Sequence, residues 1–115
     1  MLLVEDDERV RDFVALGLRE EGYRVVEETN GHDGLAYFQR HRDEIAVVVT
    51  DIRMPRMDGS VMARAILKLD PSVRIIFMSG TAVSDELPQG VGTDFQMLKK
   101  PFTLECLARC VRKCL

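Results

Sequence analysis

Short apolar runs that end abruptly in polar residues, separated by stretches with helical spacing, are the feature that most narrows what this chain can fold into. Residues 2–4, 45–50, 73–78 and 95–98 are such runs, and they give way to Glu5-Asp6, Asp51, Ser79-Gly80 and Lys99-Lys100. A fifth run, residues 23–26, is β-branched and aromatic and precedes an Asn30-Gly31 turn signal. Residues 45–50 have no alternating polar face, as expected of a central strand covered on both sides in a parallel sheet. Between the runs, Val10, Phe13, Val14, Gly17 and Leu18 recur at helical spacing, as do Leu35 with Phe38 up to His41, and Met62, Ala65, Ile66 and Leu69 before Asp70-Pro71. Residues 82–89 predict a short or irregular helix, because Pro88, Gly90 and Gly92 crowd it. Thr103 predicts the cap of a last helix carrying Leu104, Leu107, Val111 and Leu115 on one face.

Strands alternating with helices imply an α/β fold: a doubly wound, five-stranded parallel sheet in a three-layer α/β/α sandwich, joined by right-handed crossovers. The flavodoxin-like strand order 2-1-3-4-5 is adopted for this class of fold and does not follow from the sequence itself. A length of 115 residues suits one domain over residues 1–115. Sixteen Lys and Arg against 19 Asp and Glu give a net charge of −3, which argues against nucleic acid or an anionic membrane as the main partner. No run is long enough to span a membrane, acid interrupts the N-terminus at Glu5, and a cytoplasmic location is expected. Cys106, Cys110 and Cys114 are odd in number and lie along one helical stripe, so they read as small, partly buried packing residues and not as disulfides or a metal site.

In an open parallel sheet the C-terminal strand ends share one edge, where ligands bind. That topology brings Glu5, Asp6, Asp51, Ser79 and Lys100 together. Each pair of clustered carboxylates repels by roughly 4 kcal/mol at ~4 Å and an effective dielectric near 20. One lysine cannot neutralise three acids. A hard divalent cation can, and an all-oxygen site suits Mg²⁺ better than zinc.

With these residues in view, Val4-Glu5-Asp6-Asp7, Thr50-Asp51-Ile52-Arg53-Met54-Pro55 with Met57-Asp58-Gly59, Met78-Ser79-Gly80 and Lys100-Pro101-Phe102 resemble the motifs of response-regulator receiver domains, in order and over nearly the whole chain. The resemblance implies a phosphoacceptor module of a two-component phosphorelay and not a turnover enzyme. It makes Asp51 the acceptor, Asp6 a direct Mg²⁺ ligand, Glu5 a ligand through water and the Arg53 carbonyl a further ligand. Ser79 and Lys100 would contact the phosphoryl group, Gly80 would leave room for it, and Arg53 and Thr81 would flank the path of hydrolytic water. It also implies a cis Lys100-Pro101 bond. The phosphodonor would be a sensor histidine kinase or a histidine phosphotransfer domain, with a second copy of the chain as a further candidate partner. No effector segment follows Leu115, so the chain is expected to act through protein contact or to be part of a longer parent.

Three features bear on the details. Met97 stands where receivers usually carry Tyr or Phe, with aromatic Phe95 two residues away, on the same face if the strand is regular. Residues 87–92 resemble receivers attached to hybrid kinases. Asp7 is expected to cap the first helix, Asp58-Gly59 to start the third, and His32 and His41 to be solvated. The alternative readings are a degenerate receiver that binds partners without phosphorylation, a haloacid-dehalogenase-like phosphohydrolase and a flavin binder. The phosphohydrolase would need an Asp where this chain has Arg53, and the acidic segment Glu5-Asp6-Asp7-Glu8 would repel a flavin phosphate.

Overall fold

The structure is a computed structural model and describes residues 1–80 and 95–115. Five strands, β1 (Leu2–Val4), β2 (Val26–Glu28), β3 (Val47–Asp51), β4 (Arg74–Ser79) and β5 (Phe95–Lys99), form one sheet in the order β2-β1-β3-β4-β5. Every pairing is parallel. Helices α1 (Glu8–Glu20), α2 (Gly31–His41), α3 (Gly59–Leu69) and α4 (Leu104–Cys114) cover its two faces.

Alternation along the strands assigns the layers. Leu2, Val4, Val48, Ile75 and Phe77 point to the face covered by α2 and α3, where they pack with Phe38, Met62 and Ile66. Leu3, Val47, Val49, Ile76 and Met78 point to the opposite face and meet Val14 and Leu18 of α1 and Leu107 and Val111 of α4. Both sides of β3 are therefore buried, which is why its sequence carries no polar stripe. Side-chain caps fix where three helices begin. Asp7 accepts from the Arg9 and Val10 amides (2.9 and 3.4 Å), Asn30 from Asp33 (2.8 Å) and Thr103 from Cys106 (3.1 Å). Asp58 occupies the position before α3, but its side chain makes no cap bond.

Several element boundaries differ from the sequence expectation. β2 begins at Val26, not Tyr23, because its ladder with β1 starts at the Leu2–Val26 pair. Tyr23 and Val25 instead pack against the α1/α4 side of the core. On this edge strand register outweighs propensity, and two glutamates sit in the ladder. β3 starts at Val47, two residues later than expected, and Leu115 lies beyond the end of α4 and is 67% exposed instead of joining its apolar face. His41 is half-buried and stacks on Tyr37 with ring centroids 4.1 Å apart, so it is a packing residue, whereas His32 is exposed as expected. The three cysteines are free, half-buried and packed against the α1/α4 core. Phe95 and Met97 lie on one face of a regular β5, and Phe95 makes an edge-on contact with Phe77 at 5.3 Å. Thr81, the expected helix over residues 82–89 and the 87–92 stretch lie outside the described residues.

Candidate functional site

β1, β3 and β4 all run in the same direction, so their C-terminal ends lie along one edge of the sheet, and the residues that terminate them meet there. The carboxylates of Glu5, Asp6 and Asp51 each place an oxygen within 4.8 Å of the others. Lys100, just past β5, reaches in with its Nζ 2.7 Å from Asp51 Oδ1 and 2.8 Å from Glu5 Oε1. Its backbone amide bonds the Ser79 carbonyl at 2.7 Å, which joins the end of β5 to the end of β4, and the Lys100-Pro101 bond is cis. Ser79 is buried at the end of β4, one residue past Met78, the ladder partner of Asp51. Arg53 is exposed in the segment that follows β3.

The acids are not equivalent. Glu5 is fully buried and Asp51 is 6% exposed, whereas Asp6 faces solvent. Burial, reinforced by the adjacent Glu5 carboxyl, pushes Asp51 up to about 8 despite the opposing Lys100 ammonium. Burial also acts to raise Glu5, but bonds to Asp51, Lys100 and the Asp7 amide hold it below the ordinary carboxylate value. The two carboxyls thus titrate as a coupled pair, with Asp51 the member pushed up and Glu5 the member held down. Asp6 is raised by partial burial and by Glu5. Burial works against the Lys100 ammonium, and its two carboxylate partners more than offset that.

The backbone around Asp51 is tightly constrained. Its carbonyl accepts from the Thr50 hydroxyl at 2.9 Å, and Gly59 at the start of α3 lies so close that an added Cβ would overlap that carbonyl oxygen. The Gly59 amide in turn donates to Ile52 at 2.7 Å. Gly59→Ala is expected to destabilise the fold by about 3 kcal/mol, since backbone and not a pliable side chain must yield. Urea denaturation checks this, and an unchanged midpoint would contradict the packing. Gly80 behaves differently: a Cβ there would meet Lys100 Cδ at 4.0 Å, an ordinary contact, so among the described residues space alone does not demand glycine.

The sequence reading missed Gly59's place behind Asp51 and also Arg11, whose guanidinium donates to the Glu5 carbonyl at 3.0 Å. The available signal was spacing: Arg11 lies one helical turn beyond the capping Asp7, on the stripe that faces back toward the end of β1.

The acids and the lysine converge at the carboxyl edge of a doubly wound sheet, the edge where ligands bind in open α/β sheets, and the three acids form a group that could hold a metal ion. Residues 1–112 match the response regulator receiver domain family, and the chain belongs to that family. It is 37% identical over 117 residues to the sensor kinase CckA of Brucella abortus (strain 2308), covering 100% of this chain but only 12% of that protein. It is 35% identical over 116 residues to the response regulator receiver protein CpdR of the same organism, covering 100% and 95%. The crystal structure of a response regulator receiver protein from Sinorhizobium medicae WSM419 superimposes with a TM-score of 0.89 at 30% identity, covering 98% of this chain and 90% of that one. The chain is accordingly a signalling module of two-component systems. No helix among the described residues is long and apolar enough to cross a membrane.

Proposed function

We propose that the chain is an active phosphoacceptor in which Asp51 takes a phosphoryl group from the phosphohistidine of a sensor kinase or histidine phosphotransfer domain in an Mg²⁺-dependent step. The observation that carries this reading is the meeting of Glu5, Asp6, Asp51 and Lys100 at one point of the sheet edge. The donor set fits the ion: three hard carboxylate oxygens lie within 4.8 Å of one another, and one of the acids opens to solvent, so water and phosphate oxygens have access. Asp6, Asp51, the Arg53 carbonyl and, through water, Glu5 would hold it. When bound, Mg²⁺ supplies positive charge that keeps Asp51 ionised and offsets charge on the transferring phosphoryl oxygens.

In the transfer, an Asp51 carboxylate oxygen forms the new O–P bond as the N–P bond to the donor imidazole breaks, and the imidazole takes up a proton. Lys100 pairs with a phosphoryl oxygen, giving up one of the carboxylate contacts it now makes, and the Ser79 hydroxyl turns toward another. Hydrolysis breaks the P–O bond of the acyl phosphate, restores the carboxylate and releases inorganic phosphate. The chain thus assists its own modification without turning over a separate substrate, and its output is a change in partner contacts in the cytoplasm. An intact acid cluster with its lysine counts against the degenerate, phosphorylation-independent alternative. The test is incubation with acetyl phosphate and Mg²⁺ followed by intact-mass spectrometry. One labile phosphoryl adduct is expected, and its absence, or its formation when excess chelator is present from the start, would refute the reading.

A further inference from the structure

α1 carries two arginines that reach across to β2, and they do different things. Arg19 donates to Glu27 Oε2 at 3.1 Å and to the Val25 carbonyl at 2.9 Å, neither of which belongs to the acid cluster. Arg11 also meets Glu27, with Nε 3.6 Å from Oε1, but its Nη1 donates to the Glu5 carbonyl at 3.0 Å. Its side chain is only 16% exposed, which limits competition from water for these partners. A planar guanidinium hydrogen-bonded at one edge and ion-paired at another is a stiffer strut than a lysine.

Glu5 sits at the centre of the segment this strut holds. Its amide donates to the Glu28 carbonyl at 3.1 Å, its carbonyl takes Arg11, and its Oε2 takes the Asp7 amide at 3.1 Å, while Asp7 caps α1. Asp6 lies between these anchors, and its side chain is hydrogen-bonded to that of Glu5, so its placement follows that of Glu5.

From this arrangement we infer that Arg11 is a positioning residue for the metal-binding acids: bridging Glu27 of β2 to the Glu5 carbonyl, it fixes the turn that carries Glu5 and Asp6. The inference rests on the phosphoacceptor reading. Groups that orient metal ligands without touching the metal are worth about 10–100-fold in metal affinity when removed.

Arg19→Ala is the internal control, because it removes the same charge from the same helix and the same Glu27 partner without touching Glu5. Mg²⁺ affinity is read by amide NMR titration, and exchange of the Asp7 amide is read in the metal-free protein. Arg11→Ala is expected to weaken Mg²⁺ binding about tenfold and to speed Asp7 amide exchange by a similar factor, with Arg19→Ala changing either by less than about twofold. Arg11→Lys keeps the charge but not the fork, and should recover only part of the loss. Should Arg11→Ala fold poorly, the comparison between Arg11→Lys and Arg19→Ala still decides the matter. If wild type binds Mg²⁺ and the Arg11 variants bind as Arg19→Ala does, the positioning role is overturned and the phosphoacceptor reading stands. If wild type takes up no Mg²⁺, both are overturned.

Discussion

Asp51→Asn is expected to form no phosphoryl adduct under conditions that modify wild type fully, and yet to be at least as stable as wild type in the absence of Mg²⁺. The two halves share one cause. In the metal-free fold burial and the neighbouring Glu5 raise Asp51 to about 8, which favours its protonated form. Asparagine closely copies that protonated acid, with an amide N–H to offer Glu5 and a carbonyl to accept from Lys100, but it has no carboxylate to attack phosphorus. The sign of the pH dependence follows. An aspartate raised on folding contributes stability that is fully present below its unfolded pKa and lost as pH rises through the folded value, here from about 4 to about 8. The amide has no such loss, so the thermal midpoint of Asp51→Asn in EDTA should gain on wild type as pH rises over that window. Mg²⁺ should reverse the order, since cation uptake requires an ionised Asp51 and stabilises only the fold that binds it. A variant that melts well below wild type in EDTA at neutral pH would show that Asp51 is not neutral there. A phosphoryl adduct on it would remove Asp51 as the acceptor.

The sequence carried the site's composition because topology turns a local signal into a spatial one. An apolar run followed by acid at Val4-Glu5 and Thr50-Asp51, or by lysine at Leu98-Lys99-Lys100, is visible residue by residue, and a parallel sheet then brings those ends to one edge. What could not be read is how each neighbour is used. Glu5 and Asp6 are adjacent and chemically alike, yet one is sealed against Lys100 and the other faces solvent, a difference set by strand register and the turn into α1. β2 was displaced for a similar reason: Glu27 and Glu28 have poor strand propensity, and only the ladder with β1 places them in the sheet. Gly59 looked like an ordinary helix start after a turn, because its closeness to the Asp51 carbonyl depends on how α3 meets β3.

Lys100→Met should give the second large effect, a loss of stability without metal that Mg²⁺ diminishes. Lys100 is the cation shared by buried Glu5 and Asp51, at 2.8 and 2.7 Å. Removing one partner of a fully buried ion pair costs about 3–5 kcal/mol. The Lys100 side chain is 24% exposed, and Glu5 can relieve its isolation by taking up a proton, so about 2–3 kcal/mol is expected here. In EDTA the variant should therefore melt well below wild type, and the gap should widen as pH rises and proton uptake by Glu5 becomes harder. Added Mg²⁺ should narrow it. With the competing ammonium gone, the acid cluster is more negative and attracts a divalent cation more strongly, and each tenfold excess of ion over its dissociation constant returns about 1.4 kcal/mol. Phosphoryl uptake should nonetheless fall by about 10²-fold or more, because no ammonium remains to pair with the transferring group. Scanning calorimetry in EDTA and in Mg²⁺, with acetyl phosphate labelling rates measured alongside, separates the terms. A thermal midpoint insensitive to Lys100→Met would mean that water, not the lysine, satisfies Glu5. A labelling rate unchanged by it would mean that the ammonium at 2.7 Å from Asp51 takes no part in the transfer.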